Sequence, residues 1–179
     1  MIDAEPLFVV RPVTADDLDQ VVDLFVAVVD EGRWLGTEPP LDRDAQRERF
    51  SQPLEQPGSS ASLVAVAGDR VVGHVLVHLD RYGVAGLGMM VDVAWRGRGV
   101  GGALVDAAVQ AARDLGAHKL ALQVWPHNTV ARRLYLRHGF EEEGVLRRQY
   151  RRRNGELWDA VIMGLVLDET SPGPSLPPA

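Results

Sequence analysis

Four glycines and two arginines lie within residues 96–102, between a predicted strand and a predicted helix. Glycine permits backbone conformations in which neighbouring N–H groups converge on one point, and a helix N-terminus adds positive potential there. The segment therefore predicts a binding site for an anion, and the expected ligand carries a pyrophosphate. The alternative is a glycine-rich turn that serves only the close packing of the backbone.

The same glycines fit a second pattern, because Gly97, Gly99 and Gly102 match the G-x-G-x-x-G fingerprint of dinucleotide-binding enzymes. That fold needs an acidic residue about 20 positions further on, at the end of the second strand. Residues 120–124 read LALQV, which contains no acidic residue. A P-loop requires a Gly-Lys-Ser/Thr sequence, which does not follow either. The sequence therefore disfavours a nicotinamide or flavin oxidoreductase and a P-loop enzyme.

Two ordered motifs resemble the signatures of one known family. Arg96, Gly99 and Gly101 match its Arg/Gln-x-x-Gly-x-Gly/Ala motif, and residues 128–140 match its Asn-x-x-Ala-x-x-x-Tyr-x-x-x-Gly-Phe motif. On these motifs the chain resembles the GNAT superfamily of N-acetyltransferases, and the likeness covers residues 9–167. The segments VVGH and RNGELWDAVIM are similar to the branch that acylates amino acids and phosphinothricin-like herbicides.

The resemblance implies an enzyme that moves an acetyl group from acetyl-CoA, its co-substrate, to a primary amine of a small, amino-acid-like molecule. It also implies that the strand ending in Met90 and Val91 bulges away from residues 119–124, which leaves unpaired backbone groups for the pantetheine arm. The cofactor-binding residues that it implies are Met90, Val91, Arg96, Gly97, Arg98, Gly99, Val100, Gly101, Gly102, Asn128 and Ala131.

The resemblance further implies that the Tyr135 hydroxyl donates its proton to the departing thiolate. Asn128, Ala131 and Tyr135 recur at spacings of three and four on a predicted helix, so they share a face that can line one ligand. The alternative for Tyr135 is a core aromatic residue whose hydroxyl is satisfied locally.

The sequence does not single out one base for the amine proton, and we expect a water-mediated route shared by several groups. Gln123 stands where some family members that acetylate protein N-termini carry a catalytic glutamate, and Val93-Ala94 replaces a common Asp-Pro pair. The candidate groups near the cleft are Glu31, Glu38, His74, His78 and Asp92.

The amine substrate is expected to contact the loop between the first two predicted helices, which borders the acceptor pocket in the resembled fold. Its candidate residues are Glu31, Trp34 and Glu38, and His78 is added from a predicted strand. An ordinary solvated loop is the alternative for the charged residues.

Five arginines lie near the last predicted hairpin: Arg147, Arg148 and Arg151 to Arg153. They are interpreted as solvated or paired with acidic residues, and the alternative is that they bind an acidic ligand or a neighbouring subunit.

Hydrophobic periodicity and turn residues predict the elements that position these groups. The fold class is α/β (α+β): a mixed, mostly antiparallel sheet of about seven strands with one parallel βαβ unit and flanking helices. Residues 1–167 are predicted to form one domain, and the Pro-rich residues 168–179 a disordered tail. The predicted helices are 15–29, 41–50, 100–116 and 129–138, with a loop over 53–60; the predicted strands are 9–13, 63–67, 71–79, 84–93, 119–124, 141–150 and 156–167.

Composition excludes several classes of function. The 179 residues carry a formal net charge of -6, so the chain offers no field that attracts nucleic acid or an acidic membrane. With no cysteine there is no disulfide, thiolate nucleophile or zinc-thiolate site, and the five histidines show no metal-ligand spacing, so no metal is expected. The absence of a signal or a membrane-length apolar run favours a cytoplasmic protein, with a homodimer as a candidate assembly.

Two other functions remain open at this stage. One is a non-catalytic domain that binds acyl-CoA as a sensor or a partner-regulated module. The other is an N-acetyltransferase that acts on a protein N-terminus. A turnover screen over amino acids, polyamines, aminoglycosides and peptide N-termini would separate them.

Overall fold

The structure is a computed structural model that describes residues 7–55 and 58–168. The predicted Pro-rich tail lies, apart from Asp168, outside the described residues. The strands are β1 Val9–Pro12, β2 Ser60–Ala67, β3 Arg70–Leu79, β4 Val84–Val91, β5 Lys119–Val124, β6 Glu141–Arg151 and β7 Leu157–Val166. The helices are α1 Leu18–Asp30, α2 Arg43–Glu55, α3 Val100–Asp114 and α4 Thr129–Arg137, and short 3-10 turns cover Ala15–Asp17 and Val93–Trp95.

The strands form one seven-stranded sheet in the order β1-β2-β3-β4-β5-β7-β6. All neighbours are antiparallel except β4 and β5, which are parallel and are joined through α3. A parallel pair needs such a crossover, because a tight turn cannot return the chain to the same end of the sheet. The mixed sheet and its single βαβ unit confirm the predicted fold class.

Helices cover both faces of the sheet and bury two apolar clusters. On one face the predicted stripe of α1 packs with Phe50 of α2 against Val64 and Val71. On the other, α3 packs against β3 so closely that a Cβ added to Gly73 would lie 2.8 Å from Leu104 Cδ1. A methyl group at residue 73 would force buried side chains of α3 to shift, so the glycine permits the close approach of α3 to the sheet.

Several predicted boundaries are wrong, among them the start of β2, which lies at Ser60 rather than at residue 63. The second helix continues through Pro53 to Glu55, although a loop was predicted from residue 53. Pro53 lies in the last turn, where the loss of one N–H donor and local crowding leave the preceding turns intact. The fourth strand ends at Val91 rather than Val93, because the Asp92 carboxylate accepts the Ala94 N–H at 2.8 Å and caps a 3-10 turn.

No helix within residues 7–55 and 58–168 combines the length and the apolar composition that crossing a membrane requires.

Candidate active site

A cavity of about 610 Å³ opens where the central strands separate. The fourth and fifth strands pair only where Val84 to Gly86 face Lys119 to Ala121, and residues 87–91 then diverge from β5. The separation that the family resemblance implied is therefore present. Backbone groups on the β5 side of residues 87–91 have no strand partner and lie along the cavity. The lining residues are Val28, Trp34, Leu35, Gly36, Leu87, Gly88, Met89, Met90, Val91, Arg96, Gly97, Gly99, Gly101, Gly102, Gln123, Val124, Trp125, Asn128, Val130, Ala131, Leu134, Tyr135, Arg137 and Tyr150.

The glycine-rich turn forms one end of this cavity. Gly97 and Gly99 adopt φ values of 76° and 87°, which L-residues with a side chain adopt only with strain. A Cβ at either position would meet no atom within 4 Å. Gly99 also caps the N-terminus of α3. The turn thus presents backbone to an open space at a positive helix end, which suits an anion.

Two residues of the predicted cofactor set point elsewhere. The Val100 side chain is fully buried in the core under α3. The Arg98 guanidinium lies over the Trp95 ring, 5.3 Å from its centroid. Neither residue lines the cavity, so only their backbone groups could serve the turn.

Arg96 and Glu31, predicted for cofactor and substrate respectively, bind each other. Arg96 Nη1 donates to Glu31 Oε2 at 2.8 Å, Nη2 donates to Oε1, and Nε donates to the Val91 carbonyl at 3.1 Å. The Arg96 hydrogen bonds hold the pKa of Glu31 below its usual value, against the opposing effect of burial. The guanidinium is therefore already engaged, and Glu31 is a weak base.

The loop between α1 and α2 contributes another part of the cavity wall. Trp34 lines it and donates its indole N–H to Glu31 Oε2 at 2.6 Å. Glu38 lies outside the lining and accepts the Arg153 backbone N–H at 3.0 Å. Arg152, only 4% exposed, donates to the Gly36 carbonyl at 2.9 Å and pairs with Glu38 at 3.4 Å. Arg152 is therefore paired with an acidic residue, as one interpretation of the arginine cluster expected. The other members, Arg147, Arg148, Arg151 and Arg153, are exposed.

The predicted shared face of α4 does line the cavity. Asn128 Oδ1 accepts the Ala131 N–H at 3.2 Å and so caps the helix, while Tyr135 is buried against Phe140. Burial raises the pKa of Tyr135 well above its usual range, so its hydroxyl keeps its proton at any working pH. The hydroxyl makes no recorded hydrogen bond to another group within the described residues.

The remaining candidates for the base lie outside the cavity. Asp92 is held by Arg70 at 2.6 Å, and His78 is exposed on β3. His74 is buried with Ser62 Oγ 2.8 Å from its Nε2, and burial lowers the pKa of His74 to about 4. Among the residues that the structure describes, the cavity lining contains no aspartate or glutamate.

Among the lining residues that the sequence analysis missed, three have polar groups in their side chains. Arg137 is exposed in the last turn of α4 and has no recorded ion pair among the described residues. Tyr150 donates its hydroxyl proton to Gln123 Oε1 at 2.7 Å. Trp125 has a buried indole nitrogen that lacks a partner in the described part of the chain. Arg137 falls two residues after Tyr135 of the second motif, which was a usable signal; no spacing pointed to Tyr150 or Trp125.

Within the same residues, the structure contains no group of three or more histidine, aspartate and glutamate side chains that could hold a metal ion.

Comparison with known proteins agrees with this architecture. The family model described as the acetyltransferase (GNAT) family matches residues 25–140. The chain is 34% identical over 117 residues to the L-amino acid N-acetyltransferase AaaT of Escherichia coli (strain K12), which covers 63% of this chain and 71% of that protein.

Two solved structures share the fold closely. A GCN5-related N-acetyltransferase from Kribbella flavida superposes with a TM-score of 0.80 at 27% identity, over 90% of this chain and 98% of that one. A phosphinothricin acetyltransferase (Pat) of the GNAT superfamily from Sinorhizobium meliloti, solved in complex with AcCoA, gives a TM-score of 0.82 at 21% identity, over 95% of this chain and 94% of that one.

Proposed function

The chain belongs to the acetyltransferase (GNAT) family, and from that premise we propose that it transfers the acetyl group of acetyl-CoA to the primary amine of a small, amino-acid-like molecule. The observation that carries this proposal is one cavity that is lined by the glycine-rich turn, by the unpaired edge of β4 and by aromatic residues. The similar E. coli protein is named for L-amino acids, and the similar S. meliloti structure contains AcCoA, which supports both substrates.

The residues present fit acetyl-CoA. The open backbone at Gly97 and Gly99 suits the pyrophosphate. Arg137 supplies a cation that has no ion-pair partner within the described residues. The unpaired backbone of residues 87–91 offers donors and acceptors to the amide groups of the pantetheine arm. Arg96 has less to contribute, because Glu31 neutralises its charge and three of its five N–H donors already bind Glu31 and Val91.

The reaction needs an unprotonated amine, a polarised thioester carbonyl and a proton for the departing sulfur. The acceptor nitrogen attacks the thioester carbonyl carbon and the C–S bond breaks. The nitrogen gives a proton to water, the sulfur takes a proton from Tyr135, and solvent returns a proton to Tyr135. Tyr135 lines the cavity with a protonated hydroxyl and can donate to the sulfur as negative charge develops on it. Water is the carrier for the amine proton, because the described lining holds no carboxylate and Glu31 is a weak base.

A thiol-release assay tests the proposal with acetyl-CoA over a panel of amino acids, polyamines, aminoglycosides and peptide N-termini. We expect turnover with a small amine. Acetyl-CoA binding without thiol release from any acceptor would favour the sensor domain. A preference for peptide N-termini would favour the protein-modifying alternative, which Gln123 disfavours because its amide cannot accept a proton as a glutamate does.

A further inference from the structure

A hydrogen bond of fixed direction lies in the cavity wall beside aromatic residues. The Tyr150 hydroxyl donates to Gln123 Oε1 at 2.7 Å, and both residues line the cavity. A hydroxyl has one proton and two lone pairs, so once the proton is used only acceptor sites remain for a ligand. We propose that the Tyr150 oxygen accepts an N–H of the acceptor amine and orients its nitrogen for attack, and that Gln123 sets this polarity. The inference rests on the proposed function and adds an acceptor-binding residue to it.

The Tyr150 ring packs edge-on against one aromatic neighbour, which in turn packs on a second. Its centroid lies 5.0 Å from that of Trp125 at an interplanar angle of 88°, and Trp125 stands edge-on to Trp158 at 5.3 Å. Behind them, the buried Arg152 guanidinium lies 4.4 Å from the Trp158 centroid. A hydroxyl on a ring packed in this way loses less side-chain freedom when it orients a ligand.

The backbone is also distorted where it delivers Tyr150. Leu146 and Tyr150 are four residues apart on β6. Their partners on β7, Ala160 and Trp158, are only two residues apart. Arg148 within this bulge adopts a φ of 54°, and its N–H donates to Asp159 Oδ1 at 2.7 Å. Bulges re-aim side chains beside functional sites, and this one directs Tyr150 at the cavity.

The charges around this part of the cavity define the class of acceptor. Glu31 neutralises Arg96, so a single ammonium can approach, whereas the described lining offers no carboxylate for a second positive charge. Trp34 and Trp125 add aromatic surface to the lining, which suits an apolar side chain. Within the proposed function, the acceptor class is therefore a primary amine with a single ammonium group and an apolar side chain, as in an apolar amino acid or the amine that lacks its carboxylate, and polyamines are poor acceptors.

The test uses the full chain, acetyl-CoA, and 2-phenylethylamine and spermidine as acceptors. We expect wild type to have a higher kcat/KM for 2-phenylethylamine. Tyr150→Phe should raise the KM for that amine by about tenfold to a hundredfold, the range for a hydrogen bond to a charged group, while the KM for acetyl-CoA changes less than about twofold. Tyr82→Phe is the matched control, because Tyr82 is 69% exposed and lies outside the cavity.

A second variant tests the polarity itself. Gln123→Met keeps the length of the side chain but removes the acceptor, so the Tyr150 proton can turn into the cavity. We expect weaker use of 2-phenylethylamine together with tighter inhibition by phenylacetate, a similar molecule whose carboxylate only accepts hydrogen bonds. A residue that merely supports the fold would weaken both ligands.

The outcomes separate the inference from the function on which it rests. If wild type releases no thiol with any amine, the proposed function fails and the inference falls with it. If wild type turns over amines but prefers spermidine, or Tyr150→Phe leaves the amine KM unchanged, or Gln123→Met weakens both ligands, only the inference is overturned.

Discussion

Glu31 and Arg96 form a two-point ion pair that ties the end of α1 to the start of the glycine-rich turn. The same Glu31 carboxylate accepts the Trp34 indole N–H. The Glu31 side chain therefore positions both Trp34, a proposed acceptor-binding residue, and Arg96, a proposed cofactor-binding residue. Its replacement should affect the two substrates differently.

Glu31→Gln should raise the KM for the amine, because Trp34 loses a charged hydrogen-bond partner, and should lower or preserve the KM for acetyl-CoA, because Arg96 is released. Initial rates with each substrate varied in turn measure both constants, and we expect kcat to fall by less than about tenfold. Asp30→Asn, an exposed carboxylate one residue earlier, is the control. A large loss of kcat with an altered pH profile would instead identify Glu31 as the base.

Gly99→Ala should weaken acetyl-CoA binding by at least about tenfold and destabilise the fold by about 1 kcal/mol, because Ala is strained at a φ of 87°. Gly116→Ala is a close control. Gly116 has a φ of 79°, an added Cβ there would also meet no atom within 4 Å, and it follows the opposite end of α3. Calorimetry should show equal destabilisation of the two variants and lost affinity only for Gly99→Ala; equal affinities would remove the turn from the cofactor site.

Arg137→Ala should weaken acetyl-CoA binding more than Arg96→Ala, with a loss of about threefold to tenfold that shrinks as salt is added, as expected for an exposed charge. Arg137 lines the cavity without a recorded partner in the described chain, whereas the Arg96 donors bind Glu31 and Val91. Arg133→Ala, an exposed arginine of the same helix outside the lining, should leave the dissociation constant unchanged. The reverse order of losses would show that acetyl-CoA displaces Glu31 from Arg96.

Tyr135→Phe should lower kcat by about 10²-fold to 10³-fold with little change in acetyl-CoA affinity, since a buried ring of the same shape loses only its proton donor. Tyr82→Phe again serves as the control. A change confined to affinity would make Tyr135 a packing residue, as its contact with Phe140 at 5.5 Å between centroids allows.

The sequence predicted those parts of the site that short segments determine. The turn around Gly99 and the face shared by Asn128, Ala131 and Tyr135 follow from consecutive residues on one loop and one helix, where local geometry fixes relative positions. The elements of the seven-stranded fold followed for the same reason, because the periodicity of each strand or helix and the turn residues between them are local features of the sequence.

Contacts between distant segments could not be predicted in this way. Glu31 and Arg96 are 65 residues apart, so nothing local shows that each engages the other. Tyr150 reaches Gln123 only because β6 bulges, and simple alternation along a strand does not foresee extra residues. Arg152 looked like its exposed neighbours in the sequence, yet it is buried under the acceptor loop.

Burial lowers the pKa of His74 from 6.5 to about 4, with a smaller contribution from the charge of Arg49. The folded state therefore binds this proton less readily than the unfolded state. The contribution of His74 to the free energy of unfolding is therefore complete above pH 6.5 and is lost as the pH falls towards 4. The total loss is about 3 kcal/mol, since each pKa unit corresponds to about 1.4 kcal/mol.

His74→Gln keeps a polar partner for Ser62 but cannot be charged, so the free energy of unfolding should vary less between pH 7.5 and 4.5 than in wild type. Denaturant titrations measure this slope, and they stay above the range in which Asp17, whose pKa the Arg11 hydrogen bond lowers, is protonated. If His74→Gln keeps the wild-type slope, the buried histidine is not the group that titrates.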